Sequence, residues 1–123
     1  KALKRHEVLV EEFLKTGAAN SYYQGRPDLI ITEYLKQGKE EHLNRVELGE
    51  MKYRQSPEGF SAGLRELLEY LYFAQIKGDY LFGNAVPRQG IQGILYTDNV
   101  ETETDSVDNI IHRTTSELRA RYD

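Results

Sequence analysis

The chain has 123 residues, 39% of them apolar, 29% charged and 11% aromatic. That suits one domain with its own core and is too apolar for a disordered segment. It has no cysteine, which excludes a disulfide scaffold, a thiolate zinc site and a cysteine nucleophile. Sixteen Lys and Arg stand against twenty Asp and Glu, for a net charge of −4.

No apolar run approaches the roughly 20 residues of a membrane span, so no membrane partner is expected. The chain begins at Lys1 and Met51 is its single methionine. With no targeting peptide visible, it reads as one domain, 1–123, excised from a longer protein, expected in the cytoplasm and beside other domains of its parent. The net acidity gives no support to a polyanionic partner, but the acids are unevenly placed. Asp98, Glu101, Glu103, Asp105 and Asp108 fall together without a base, and the rest of the chain carries 16 bases against 15 acids. A local basic surface is therefore compatible with the composition.

In chain order, residues 3–15 carry Leu3, His6, Val10, Phe13 and Leu14 at helical spacing and end at Thr16-Gly17, which predicts an amphipathic helix with a glycine cap. Residues 28–35 follow Arg26-Pro27 and are rich in β-branched and aromatic side chains, which predicts a strand with proline at its start. Residues 36–42 form a polar turn, and 44–53 a second strand, so the two make an antiparallel hairpin. Ser56-Pro57-Glu58-Gly59 breaks the chain and opens a long helix, 60–77, apolar nearly all round and capped by Gly78. Strands are expected at 79–82 and 91–96, and a last helix from Asp105 or Ser106 to about residue 121. The order helix, hairpin, helix, strand, strand, helix predicts an α/β fold with a mixed sheet flanked by helices.

Chemistry concentrates in two short pieces, Pro27-Asp28 at the start of the first hairpin strand and Glu50-Met51-Lys52 near the end of the second. Alternate strand residues share a face, so Glu50 and Lys52 point the same way. Paired strands lie about 5 Å apart, which brings Asp28 beside Glu50 in a suitable register. Two carboxylates suit Mg²⁺ (or Mn²⁺), and the Met51 carbonyl is a further oxygen within reach. Lys52 is then placed to orient or deprotonate a metal-bound water, or to stabilise charge on a phosphate. The other chemistries fail: His6, His42 and His112 lack paired ligand spacing, and 83–90 lacks the lysine and hydroxyl of a phosphate loop.

Pro-Asp, about twenty residues, then Glu-x-Lys, set on two adjacent strands before a long helix and a strand, resembles the PD-(D/E)xK motif of restriction-endonuclease-like nucleases. The resemblance covers roughly residues 3–96 and implies an α-β-β-β-α-β core. It also implies a Mg²⁺-dependent DNA endonuclease in which Asp28 and Glu50 hold the metal and Lys52 is the catalytic lysine. Many members add a glutamate from the first helix, for which Glu7 is the best match, ahead of Glu11 and Glu12. Some add a polar residue from the helix after Glu-x-Lys, where Arg65, Glu69, Tyr70 and Gln75 are all eligible. The family sheet also has a strand before or around the Pro-Asp position, for which only residues 20–24 are available. Double-strand cutting takes two active sites, so the implied partners are DNA and a second copy.

Plainer readings stand beside this one. Asp28 fits a turn after proline, Glu50 and Lys52 fit a surface ion pair, and Glu7 fits an ordinary surface acid. Val46 and Leu48, apolar on the face that Glu50 continues, argue for the site. Tyr22, Tyr23, Tyr53, Tyr70 and Tyr72 are eligible to stack on bases or to pack in the core. At the level of the whole chain, the alternatives are the same fold as an inactive binding or assembly module in a larger defence or repair protein, or an α/β interaction domain using its tyrosines.

Overall fold

A computed structural model describes residues 3–10, 26–53, 56–76, 87–98 and 106–122. It is a mixed α/β architecture of four strands and two helices: β1 (Leu3–Val10), β2 (Leu29–Gln37), β3 (Glu40–Lys52), α1 (Pro57–Ile76), β4 (Ile91–Thr97) and α2 (Val107–Tyr122). The strands lie in the order β1-β2-β3-β4. The first three are antiparallel, whereas β4 returns through α1 to lie parallel to β3. That parallel pair is what a helical crossover permits. No described helix is long and apolar enough to cross a membrane.

The hairpin is tighter than the sequence suggests. Its polar turn shrinks to Gly38-Lys39, with Gly38 at φ 61°, the positive value that a two-residue turn with glycine in its first central position requires. The flanking residues of 36–42 join the ladder. A register shift between Glu33 and Tyr34 leaves Asn44 as an extra residue on β3. This bulge turns the Asn44 amide onto Glu33, with Nδ2 donating to Oε1 at 2.7 Å.

α1 begins at Pro57 rather than at 60. Ser56 is its N-cap: its hydroxyl accepts the Gly59 N–H at 3.2 Å, and Pro57 takes the position where no N–H is needed. Ser106 caps α2 in the same way, accepting from Asn109 at 3.2 Å.

One sheet face carries the core. Ile30, Val46 and Leu48 pack with Leu67, Tyr70 and Ala74 of α1, and Ile91 and Leu95 of β4 complete the layer. Gly93 lets the helix close on the sheet, because a Cβ there would lie 2.7 Å from Leu71 Cδ1 and 3.1 Å from Leu67 Cγ. α1 seats on β3 and β4, and α2 packs on α1 through Tyr72, Phe73 and Leu118. Tyr70 and Tyr72 are thus core residues and not stacking platforms, while Tyr53 is exposed.

The first predicted element is overturned. Residues 3–10 form a strand, not a helix, hydrogen-bonded along β2 from Leu3↔Lys36 to Val10↔Leu29. All eight of its residues are exposed, so the helical spacing of Leu3, His6 and Val10 marks no buried stripe. The β-branched and apolar run Val8-Leu9-Val10 is satisfied instead by the ladder that β2 offers. Residues 11–15, the strand expected at 79–82, and Tyr22 and Tyr23 lie outside the described residues.

Gly93→Ala is expected to lower stability by about 1–3 kcal/mol by overpacking against Leu67 and Leu71. Urea denaturation, with the midpoint falling and the slope unchanged, checks it. An unchanged midpoint would show that α1 is not seated there.

Candidate functional site

The site is built where β2 begins and β3 ends. Leu29 pairs with Gly49 and Ile30 with Leu48, so Asp28 falls level with Glu50, and both point to the α1 side of the sheet with Ile30 and Leu48. Two hydrogen bonds lock the junction. The Asp28 N–H donates to Glu50 Oε1 at 3.2 Å, and Asp28 Oδ2 accepts the Met51 N–H at 2.8 Å. Each carboxylate thus has one oxygen held by the other strand's segment. The Met51 carbonyl leaves β3 on the same edge as its N–H, toward Asp28. Pro27, fully buried, and the Tyr70 hydroxyl, donating to the Arg26 carbonyl at 3.4 Å, fix the approach to Asp28.

Lys52 continues the same face. Its Nζ lies 3.8 Å from Glu50 Oε2 and 3.6 Å from Glu66 Oε2 of α1. The stem crosses α1 at Gly63, where a Cβ would lie 2.6 Å from Lys52 Cγ. Gly63 and Glu66, one turn apart on α1, therefore make the slot and the anchor for this lysine. Neither residue stood out in the sequence. The signal was available, because Gly63 is a glycine inside a helix of strong formers and Glu66 follows three residues later.

The electrostatics are those of crowded acids. The Glu50 side chain is only 3% exposed. Burial, the neighbouring Asp28 charge and a hydrogen bond with Glu66 push its carboxyl up to about 7. Burial, together with Glu50 and Glu66, likewise raises the Tyr70 phenol. Among the described residues, no three His, Cys, Asp or Glu side chains enclose a metal by themselves. The donor set at this junction is two carboxylates and a backbone carbonyl, which leaves a hard cation room for water ligands. The crowding of negative charge is what such a cation would relieve.

The structure therefore brings Asp28, Glu50, Met51 and Lys52 together and leaves Glu7 apart. Glu7 sits on β1, not on a helix, opposite Thr32 and four residues down the sheet from Asp28, about 13 Å along the strand direction. Its carboxylate is taken by Arg5. It has no place beside the carboxylate pair, and Glu11 and Glu12 lie outside the described residues. Of the eligible residues on α1, Tyr70 reaches the site, while Arg65 is exposed and Glu69 feels Arg121 of α2. No family model, curated protein or solved structure matches the chain.

Two expectations follow from this geometry. A carboxyl whose folded-state value lies near 7 against an ordinary 4.5 binds its proton more tightly in the folded state, so stability falls as pH rises from about 4.5 to about 7. In metal-free buffer, Glu50→Gln should flatten that fall and be the more stable protein above pH ~7, by on the order of 1 kcal/mol or more. Denaturant melts across pH measure this, and parallel profiles for the two proteins would refute it.

Gly63→Ala should gain about 1 kcal/mol of helix propensity when made in a Lys52→Ala background, and lose that gain beside the native lysine. A double-mutant cycle reads the coupling directly, and additivity would mean that the stem does not cross Gly63.

Proposed function

We propose that the chain is a Mg²⁺-dependent DNA endonuclease domain of restriction-endonuclease-like type, hydrolysing phosphodiesters. The observation that carries the reading is the reciprocal pair of hydrogen bonds between the Pro27-Asp28 segment and the Glu50-Met51 segment. It sets two carboxylates level on one sheet face with Lys52 beside them. The topology supports it as well. β1, β2 and β3, the crossover helix α1 and parallel β4 give the β-β-β-α-β part of the implied core. The strand wanted ahead of Pro27-Asp28, for which the sequence offered only residues 20–24, is supplied by residues 3–10.

In this reading, Asp28, Glu50 and the Met51 carbonyl hold the ion. Bound there, Mg²⁺ supplies an activated water and neutralises charge on the phosphate and the leaving oxygen. Lys52 Nζ orients the attacking water and stabilises the charge that develops on phosphorus oxygens. Glu66 and Gly63 act through Lys52: one anchors its ammonium, and the other clears the path of its stem. Tyr70 holds the Arg26-Pro27 approach in place. The work is positioning and electrostatics, so the loss of one member is severe.

A second reading keeps the fold without the activity, as a binding or assembly module. It is favoured by the net charge of −4, which gives no support to a polyanionic partner. Mn²⁺ titration separates the two: the nuclease reading expects weak binding that Glu50→Ala abolishes, and the module expects none.

With Mg²⁺ and plasmid or linear DNA, the purified protein is expected to cleave, and Lys52→Ala or Asp28→Asn to cut about 10²–10³-fold more slowly. Wild-type rates in either variant would overturn the assignment.

A further inference from the structure

Of the eight large apolar side chains exposed among the described residues, four stand on β1: Leu3, Val8, Leu9 and Val10. Among the described elements β1 pairs along its length with β2 alone, reaches β3 only through the Arg5–Glu41 ion pair, and is met by neither helix. Its other edge is an eight-residue run of backbone donors and acceptors with no proline, and its register against β2 is unbroken by a bulge. Proline and a bulge, two devices that blunt an edge strand, are therefore missing, and the charges that remain, Lys4, Arg5 and Glu7, restrict which strand this edge can accept.

The side chains specify which strand. Leu3, Arg5, Glu7 and Leu9 share one face, and Lys4, His6, Val8 and Val10 share the other. Arg5 and Glu7 keep half of their side-chain surface open even though they pair with one another, and Arg5 also binds Glu41. If β1 pairs antiparallel with itself about a two-fold axis at His6, Arg5 stands opposite Glu7 of the second copy and Leu3 opposite Leu9, each twice. Moving the axis to Glu7 sets like charges against each other, and moving it to Arg5 sets Leu3 against Glu7. Only the His6 axis matches charge with charge and apolar with apolar on one face.

We propose that β1 is a self-complementary edge through which two copies of this chain associate, joining their sheets into one of eight strands with both α1 helices on the same side. The two candidate sites then open on the same face, but the inference rests on β1 alone and is independent of what those sites do. One added strand pair buries less than a standard interface, so the association is concentration-dependent.

Sedimentation over a concentration series tests it. The wild-type chain should pass from monomer to dimer. Arg5→Glu and Glu7→Arg should each weaken dimerisation about tenfold, because each sets two like-charged pairs across the axis. An equimolar mixture of these two variants restores opposite charges at every pair and should regain wild-type affinity as a heterodimer. Val8 is exposed and tolerant, and it faces Lys4 of the second copy. Val8→Lys should therefore weaken the dimer, and Val8→Glu should tighten it. A wild-type chain that stays monomeric overturns the proposal. Variants that dimerise like wild type, or a mixture that fails to recover, overturn it equally, since the contact would then lie elsewhere or in another register.

Discussion

Glu50 continues a row of apolar residues, Val46 and Leu48, that faces α1, and its carboxylate is nearly as buried as they are. A carboxylate in such a place is expensive unless it is bonded, protonated or neutralised by a cation. Much around it answers that requirement. The Asp28 N–H reaches one oxygen, Lys52 and Glu66 lie at the other side, and Tyr70 closes the helix face. Glu66 and the close approach of Pro27-Asp28 both bear on Glu50, while Gly63 makes room for the Lys52 stem beside it.

The sheet divides into two halves of different character. β3 and β4 are covered by α1, which in turn is covered by α2, and there the packing is apolar and tight enough that Gly93 and Gly63 leave no room for a Cβ. β2 meets that cover only through side chains such as Ile30, and β1 lacks it among the described residues. They are tied instead by polar groups: Glu33 is buried and accepts from Asn44, His6 and Arg45, which link three strands across the face opposite α1. The Asn44 amide, followed by the His6 contact, keeps the Glu33 carboxyl below the ordinary range. The bulge at Asn44 serves both halves, since it aims the amide at Glu33 while its carbonyl accepts the Gln89 N–H at 2.7 Å just ahead of β4.

This division bears on function. The candidate site lies at the rim of the covered half, with α1 behind it through Glu66 and Tyr70. Glu50 and Lys52 stand on β3 and Asp28 immediately ahead of β2, with α1 behind them, which holds their geometry on rigid elements.

The hairpin, its acid and lysine positions, both helices and the strand at 91–97 were legible in the residues themselves. Period-two patterning, proline at a strand start and serine before a helix are local effects that act within a few residues. From the same pattern, the identity of Asp28, Glu50 and Lys52 as neighbours followed once the two strands were paired. Three things were not local. Residues 3–10 became a strand because β2 had an edge to fill, a choice that no periodicity within the segment records. With that change Glu7 moved from the expected site to an edge. Glu66 and Gly63 acquired their roles only when α1 was laid across β3, because the distance from Lys52 to a helix starting five residues later depends on how the crossover packs. Sequence determined which groups were available and on which strand face each would stand. Tertiary packing decided which of them meet, since burial against α1 and the closing of the ladder are properties of the assembled layers.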